Sequence, residues 1–255
     1  LLVAAGVGWY YYGGYAKKVG IMQQEARMFV EKSNADTFRS VQTSLVYDAD
    51  NTLISTLNGE KDVYYLEYED IPAYVPAAMV SIEDKKFYSH NGIDIKAILR
   101  AAKAMIQNGE VTQGGSTITQ QLARNIFLSH ERTWERKIEE MFLAVEMEKV
   151  YSKNKIMEFY LNNVYFSSGY YGIQAASKGY FNTEVSNLSL SQIAFLCAIP
   201  NNPSLYDPVE RMENTLKRRD RILNQMCEDG KISQATCDQA KAETITLSRP
   251  QKQKN

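Results

Sequence analysis

The segment SIEDKKFYSHNG, residues 81–92, contains the carboxylate best placed for acid–base chemistry. Glu83 follows the apolar run AAMVSI. A carboxylate held against apolar surface has its charged form disfavoured, which raises its pKa and suits it to accept a proton near neutral pH. Glu83 is therefore a candidate general base. A structural interpretation competes and is favoured by spacing alone. Ser81 and Asp84 match a capping box at a helix start, and Glu83 has the spacing to pair with Lys86.

A second polar segment, QGGSTITQQLARN at residues 113–125, has the composition of a phosphate-binding turn. Two glycines precede hydroxyl and amide side chains at a predicted helix N-terminus, where free backbone N–H groups bind phosphate oxygens. Arg124 lies two turns further along that helix. The spacing from Gly109 imitates the phosphate loop of nucleotide hydrolases, but Gly115 stands where that loop needs a lysine, and no strand pattern precedes it. A nucleotide hydrolase is therefore disfavoured.

The third cluster is RTWERKIEEMFLAVEMEK, residues 132–149. Arg136, Lys137 and Glu140 share one helix surface, because residues three or four apart are neighbours on a helix. They form either a cationic wall for a diphosphate, with one acid among the bases, or a solvated face of salt bridges.

The fourth cluster, residues 151–181, is dense in Tyr, Asn and Gly. This composition suits a sugar-binding cleft, although aromatic core packing explains much of it. Ser152 and Lys155 imitate the nucleophile motif of penicillin-binding acyl transferases, but no later KTG or SxN triplet supports that chemistry. We interpret them as a helix cap and a surface lysine.

The composition of the 255-residue chain excludes several classes of protein. The formal net charge of −1 gives no electrostatic indication of nucleic-acid binding. Three cysteines without a CxxC pair exclude a dense disulfide framework and a simple zinc ribbon, and two histidines exclude a histidine-rich metal site. Cys227 and Cys237 either pair in an oxidising compartment or are buried free thiols.

The elements that must position these side chains are mainly helical. Residues 40–57 predict a strand, the turn DADN and a second strand, and VYYLEY at residues 63–68 predicts a third. After Pro72 the pattern is helical, with a loop at Gly169 and Gly172. Helix starts are predicted at Ser116 or Thr117, Ser152, Ser189, Asp207 and Ser233. Predicted inward stripes are Trp134, Ile138, Met141, Phe142 and Val145 on one helix, and Met212, Leu216, Leu223 and Met226 on another.

The N-terminal residues 1–16 carry no charge and are rich in aromatic side chains, and Lys17 and Lys18 follow. A membrane span needs about 20 apolar residues, so this segment alone is too short, but its aromatic cluster resembles an interface belt. We expect the end of a transmembrane or membrane-interface helix, with a buried N-terminal helix as the alternative. The predicted organisation is this helix end at 1–16, a linker with short strands at 17–70, a mainly helical catalytic domain at 71–245 and a flexible tail at 246–255.

The four clusters, in this order, resemble the motifs of the family 51 glycosyltransferases, the peptidoglycan polymerases found alone or at the front of class A penicillin-binding proteins. The match is to EDxxFxxHxG at residues 83–92, GGSTxTQQ at 114–121, RKxxE at 136–140 and KxxIxExYLNxVYF at 153–166. A fifth stretch, LSLSQIAFLCAIPNNPSLYDP at 188–208, resembles the family's closing motif. Together they cover residues 71–225, and five collinear motifs are far more specific than one. Spacing alone favours a structural role for Glu83, but with the resemblance a catalytic role is favoured instead.

The resemblance implies a lysozyme-like, mainly helical fold with a large lobe and a smaller, membrane-facing lobe. It implies that lipid II is the acceptor and that the growing glycan on undecaprenyl pyrophosphate is the donor. Glu83 is then the general base that removes the proton of the acceptor's 4-hydroxyl. The freed oxygen attacks the donor anomeric carbon from the face opposite the pyrophosphate, so the configuration inverts.

The resemblance also implies which groups hold the substrate. Glu140 matches the second essential acid, which either orients the neighbouring bases or holds a divalent ion. No organic cofactor is implied, and a divalent cation, Mg²⁺ or Mn²⁺, is left open. The residues that match binding positions are Asp84, Phe87, His90, Ser116, Thr117, Gln120, Gln121, Arg124, Arg136, Lys137, Lys153, Tyr160 and Asn162. For Lys153, Tyr160 and Asn162 a structural role is an equal alternative.

The implied partners are lipid II, the nascent glycan strand, the lipid bilayer and cell-wall assembly proteins, without nucleic acid. The implied location is the outer face of the bacterial cytoplasmic membrane. No transpeptidase domain follows within the sequence, so we expect a monofunctional enzyme or the front part of a longer one. The sequence departs from the family at Ser167, where a glycine is usual, and at Asn182 and Thr183, where Gly-Lys is usual.

Two other functions compete with the polymerase. A lysozyme-like peptidoglycan hydrolase is disfavoured by the cationic wall, because a sugar leaving group carries no diphosphate to stabilise. A non-catalytic scaffold for cell-wall assembly is disfavoured by the presence of both Glu83 and Glu140.

Overall fold

The computed structural model describes residues 14–39, 43–47, 53–58, 64–108, 115–128 and 133–248, and this part of the chain is mainly helical, as expected. The strands are β1 (Thr43–Tyr47) and β2 (Leu53–Asn58). The helices are α1 (Tyr15–Lys32), α2 (Ala35–Arg39), α3 (Tyr74–Glu83), α4 (Ile95–Asn108), α5 (Ile118–Phe127), α6 (Trp134–Val150), α7 (Lys153–Asn163), α8 (Ile173–Phe181), α9 (Leu190–Cys197), α10 (Met212–Glu228) and α11 (Gln234–Ala242).

The chain divides into two compact units. The first unit comprises the described parts of Leu1–Thr37 and Ser89–Ile156, and the second those of Phe38–Tyr88 and Met157–Asn255. The predicted domain boundaries remain a prediction.

The two predicted strands of the hairpin pair, the predicted turn DADN lies outside the described residues, and the predicted third strand is wrong. β1 and β2 pair antiparallel, with Thr43 opposite Asn58. Residues 64–67 have no regular structure, and Tyr68–Asp70 is a 3₁₀ turn. The backbone of Leu66 is instead satisfied by the Asn162 side chain, which accepts from the Leu66 N–H at 2.9 Å and donates to its carbonyl at 2.8 Å. A side-chain amide therefore takes the place of a neighbouring strand.

In the first unit, α6 packs against both α1 and α5. α1 buries Met22, Ala26 and Val30, which are spaced one turn apart. The stripe predicted for α6 is wrong: Trp134 is 47 % exposed, and the buried residues are Glu140, Leu143, Ala144, Glu146 and Met147. Two acids share this buried face because Lys137 and Lys149, three residues away on the same helix, pair with Glu140 and Glu146.

Gly92 allows the loop after the 3₁₀ turn Phe87–Ser89 to approach α6 closely. Its φ is +92°, and an added Cβ would lie 2.6 Å from the backbone carbon and oxygen of Ala144. Backbone atoms of a packed helix move only at a large energetic cost, so no side chain fits here.

We expect Gly92→Ala to lower the free energy of unfolding by about 2–5 kcal/mol, from overpacking combined with left-handed backbone strain. Chemical denaturation followed by circular dichroism measures this. The matched control is Gly20→Ala inside α1, where an added Cβ meets no atom within 4 Å; helix propensity predicts a gain of about 0.5–1 kcal/mol there. Equal stabilities of Gly92→Ala and the unmutated protein would contradict the close approach.

In the second unit, α3 packs against α9 and α10, and α10 also packs against α11. α10 begins at Met212, not at Asp207 as predicted. The Asp207 carboxylate instead accepts from the backbone N–H groups of Val209 and Glu210, which stabilises a turn before the helix. Of the predicted inward stripe, Leu223 and Met226 are buried, whereas Met212 and Leu216 are half-buried. The remaining buried positions are Thr215, Arg218, Arg219 and Ile222.

The other predicted caps agree with the structure. The Thr117, Ser189 and Ser233 side chains accept the capping hydrogen bond at the starts of α5, α9 and α11, and the Ser152 hydroxyl accepts from the Lys155 N–H. A cap is specified by residues within one turn, so local sequence predicts it.

Two of the three residues that depart from the family pattern, Ser167 and Asn182, lie where the backbone is left-handed. Ser167 has φ 63° and its hydroxyl donates to Asp207 Oδ2 at 2.6 Å. Asn182 has φ 53° and ends α8. Asparagine tolerates this conformation better than most residues, which fits it to a glycine position.

Cys197, Cys227 and Cys237 are free, and the first and last are buried. Within the described ranges, no helix has the length and apolar character needed to cross a membrane. The expected helix end at 1–16 lies almost wholly outside the described residues, as do Gly114 and the tail beyond residue 248.

Candidate active site

Glu83 is the last residue of α3, and its carboxylate is buried in the second unit. The side chain is 6 % exposed. Oε1 accepts a hydrogen bond from an NH2 group of Arg218 at 2.7 Å, and Oε2 accepts from Asn201 Nδ2 at 3.4 Å. The capping-box interpretation is wrong, because Ser81 lies inside α3 and Asp84 follows its end.

The described neighbours of Glu83 include a guanidinium and a buried thiol. Arg218, from α10, is buried and its guanidinium carbon lies 4.9 Å from the centre of the Tyr206 ring. The nearby Cys197 thiol is fully buried, and burial, followed by the charge of Glu83, raises the pKa of this thiol. Sequence reasoning did not identify Arg218 or Asn201.

In the first unit, four predicted site residues come together at the start of α6. Glu140 is fully buried, and its Oε2 accepts from Arg136 at 2.8 Å while its Oε1 accepts from Lys137 Nζ. Lys137 Nζ also donates to Ser116 Oγ at 2.6 Å. These residues (Ser116, Arg136, Lys137 and Glu140), called the diphosphate cluster after the ligand predicted for them, do not form a solvated charged face, because the Glu140 side chain is fully buried. Two cations and one carboxylate leave an excess positive charge, which suits a phosphate ligand.

Glu140 does not fit the role of a metal ligand in this arrangement. Both of its oxygens accept hydrogen bonds from cationic side chains, which would repel a metal ion. Among the residues that the structure describes, no group of three or more His, Cys, Asp or Glu side chains is arranged to hold a metal. Arg124 lies on α5 of the same unit and is half-buried.

His90 and Lys153 lie at a buried polar network centred on Glu148, which sequence reasoning missed. The Glu148 side chain is 5 % exposed. Its Oε1 accepts from Thr119 Oγ1 at 2.6 Å and from Lys153 Nζ at 2.7 Å, and it lies 3.9 Å from His90 Nδ1. This network joins residues from three of the motifs, which favours the structural alternative for Lys153.

Most of the other predicted binding residues have contacts that support the fold. Thr117 and Gln120 form the capping box of α5, and Thr117 Oγ1 also donates to the Gly92 carbonyl at 2.6 Å. Asn162 bonds to the backbone of Leu66. Four further predicted residues are buried: Asp84, Phe87, Gln121 and Tyr160. Glu83 belongs to the second unit and the diphosphate cluster to the first.

The missed residues differ in how well the sequence indicates them. Ile222 and Met226 lie on the inward face of α10, and Arg218 lies one turn before Ile222, so extending the stripe backwards would have placed Arg218 inside. Asn201 and Glu148 have no comparable signal, because Asn201 meets Glu83 across 118 residues and Glu148 lies near Thr119 and His90 across 29 or more.

A family model described as Transglycosylase matches residues 50–227, which is more than half of the chain. Penicillin-binding protein 1A of Aquifex aeolicus is 44% identical over 213 residues, covering 84% of this chain and 29% of that protein. Penicillin-binding protein 1F of Bacillus subtilis is 48% identical over 178 residues, covering 70% and 25%. Penicillin-binding protein 1A of Escherichia coli is 41% identical over 200 residues, covering 78% and 23%.

The chain therefore spans about a quarter to a third of the length of these relatives. A crystal structure of penicillin-binding protein 1A from Haemophilus influenzae aligns with a TM-score of 0.45 and 20% identity, covering 82% of this chain and 21% of that one.

Proposed function

Since the chain belongs to the transglycosylase family, we propose that it is a peptidoglycan glycosyltransferase that polymerises lipid II into glycan strands. The observation that carries the proposal is the family match over residues 50–227, which includes both Glu83 and Glu140. The buried carboxylate of Glu83 and the diphosphate cluster supply the two kinds of group that the reaction needs.

In the proposed reaction, the Glu83 carboxylate accepts the proton of the 4-hydroxyl on the acceptor lipid II. The oxygen forms a bond to the donor anomeric carbon while the bond from that carbon to the pyrophosphate oxygen breaks. Attack from the opposite face inverts the configuration. The released undecaprenyl pyrophosphate carries the electron pair of the broken bond, and cationic side chains stabilise that charge as it develops.

The diphosphate cluster has the chemistry for the leaving group. Arg136 and Lys137 supply charge-assisted donors, and Glu140 holds both at the start of α6. Arg124 is the third cation proposed to bind the pyrophosphate. This excess of positive charge favours a polymerase over a peptidoglycan hydrolase, and an acid held by two cations has no evident use in a non-catalytic scaffold.

The test supplies the chain with lipid II in detergent and a divalent cation, and separates the products on a gel. Long glycan strands are the expected result. Shortening of pre-made glycan would indicate the hydrolase instead, and no change in either substrate would indicate the scaffold. Replacing Mg²⁺ or Mn²⁺ with EDTA tests whether a divalent cation is required.

The proposed partners follow from the same activity. They are lipid II, the nascent strand and the bilayer that holds both lipids, together with cell-wall assembly proteins. The proposed location is the outer face of the bacterial cytoplasmic membrane. Binding of the chain to vesicles that contain lipid II, measured by sedimentation, tests the membrane part of this proposal.

A further inference from the structure

We propose that Arg218 is a positioning residue for Glu83, whose guanidinium holds the carboxylate in the orientation from which it accepts the acceptor's proton. The proposal rests on the proposed function and on Glu83 as its base. Arg218 follows the last quoted motif, residues 188–208, and is not among the residues for which a role was predicted.

The contact between the two side chains is short, buried and specific. An NH2 group of Arg218 donates to Glu83 Oε1 at 2.7 Å, and the two side chains are 9 % and 6 % exposed. Asn201 donates to the other carboxylate oxygen at 3.4 Å. With donors on both oxygens, rotation of the carboxylate is restricted.

Arg218 is itself held in place by Tyr206. Its guanidinium carbon lies over the Tyr206 ring, and Tyr206 is in turn bound to α10, because the Thr215 hydroxyl donates to the Tyr206 carbonyl at 3.0 Å. α10 in turn packs against α3, which ends at Glu83. The ring, the guanidinium and the carboxylate therefore belong to one packed part of the second unit.

The neighbouring Arg219, also on α10, has the hydrogen bonds of an arginine with a structural role. Its guanidinium donates to Asp220, Ser191 and the carbonyls of Glu243 and Lys241, so each of its three nitrogens has a partner. Arg218 Nε, by contrast, is buried with no hydrogen-bond partner among the described residues.

An unsatisfied buried donor opposes stability, and a buried ion pair is weak evidence for a stabilising role. Stability alone therefore gives a poor account of Arg218, whereas the orientation of a reacting carboxylate gives a good one. The charged and titratable groups described near Glu83 include Arg218 from α10, the Cys197 thiol from α9, and Asp84, Lys85 and Lys86, which follow Glu83 in the chain. Arg218 is a cation in direct contact with the Glu83 carboxylate.

The test compares Arg218→Met, Arg218→Lys and the control Arg219→Lys in steady-state polymerisation of lipid II, with thermal melting of each variant. We expect Arg218→Met to lower kcat by about 10²-fold, the effect of a small misplacement of a reacting group. The KM for lipid II should change by less than about 2-fold, because Arg218 bonds to the enzyme's carboxylate and not to substrate.

Rescue by the conservative variant separates positioning from packing. Arg218→Lys retains the charge, although lysine lacks the planar guanidinium. Its kcat should be at least about 10-fold higher than that of Arg218→Met. Arg219→Lys should melt at a lower temperature with kcat within about 2-fold of the unmutated protein. If Arg218→Met does not fold, Tyr206→Leu replaces it, and loss of the stacked ring should lower kcat by about 5-fold.

The outcomes distinguish this proposal from the function on which it rests. An unmutated chain that does not polymerise lipid II would overturn both. An active chain whose Glu83→Gln variant is inactive, but whose Arg218→Met variant has normal kcat, would overturn the positioning role alone. A rise in KM with unchanged kcat in Arg218→Met would also overturn it, because it would place Arg218 in substrate binding.

Discussion

Glu83→Gln is expected to reduce lipid II polymerisation by about 10³-fold, within the range that a positioned general base contributes. The amide oxygen of glutamine still accepts a hydrogen bond from Arg218 but takes up no proton at neutral pH. The initial rate of glycan formation on a gel, with enzyme in excess over lipid II, measures the loss directly. Since the buried guanidinium then faces a neutral partner, we also expect a loss of about 3 kcal/mol in the free energy of unfolding.

The control for this variant is Glu213→Gln, the same chemical change on α10 of the same unit. Its side chain is 81% exposed and pairs with Lys217 one turn away. Its rate and melting temperature should equal those of the unmutated protein, because exposed pairs contribute little. A Glu83→Gln variant that polymerises as fast as Glu213→Gln would remove Glu83 from the mechanism.

Glu140→Gln should produce the second largest effect, a fall in polymerisation of about 10²-fold or more. Glu140 is expected to act through the two cations that it holds. Glu140 is buried between Arg136 and Lys137, and neutralising it frees both cations from the geometry that we propose for pyrophosphate binding. We expect an unfolding free energy lower by about 3 kcal/mol, at the small end for a buried pair because Lys137 can turn towards water.

Kinetics and a neighbouring variant test this explanation. Glu139→Gln changes the adjacent residue of α6, which is only half-buried, and should retain its rate. Binding of undecaprenyl pyrophosphate, measured by competition against lipid II, should weaken in Glu140→Gln and remain unchanged in Glu139→Gln. Normal pyrophosphate binding in Glu140→Gln would contradict the role of the diphosphate cluster.

Several contacts between residues close in the chain were predictable from the sequence. The caps at Thr117, Ser189 and Ser233 need only the first turn of each helix. The grouping of Arg136, Lys137 and Glu140 needs only the three- and four-residue spacing of a helix. The two strands of the hairpin are likewise close in the chain, with five residues between them.

The stripe of α6 shows where periodicity fails. Apolar spacing predicted Trp134 and its neighbours as the inward face, but a helix packed against two others is buried according to where those helices lie. The buried face includes Glu140 because a carboxylate can be buried when cations accompany it. Hydrophobicity alone does not predict that a carboxylate is buried together with its cationic partners.

The sequence by itself determined the mainly helical class, the caps at Thr117, Ser152, Ser189 and Ser233, the grouping of Arg136, Lys137 and Glu140 and, through five collinear motifs, the family. Tertiary structure alone decided which groups surround Glu83: Arg218 lies 135 residues away in the chain, and Asn201 lies 118 residues away. Where a third strand was predicted, the structure instead has hydrogen bonds between Asn162 and the backbone of Leu66, across 96 residues. The physical reason is the same in each case. Local spacing limits which neighbours a helix or turn can bring together, whereas distant partners meet only when burial of the whole core selects one packing.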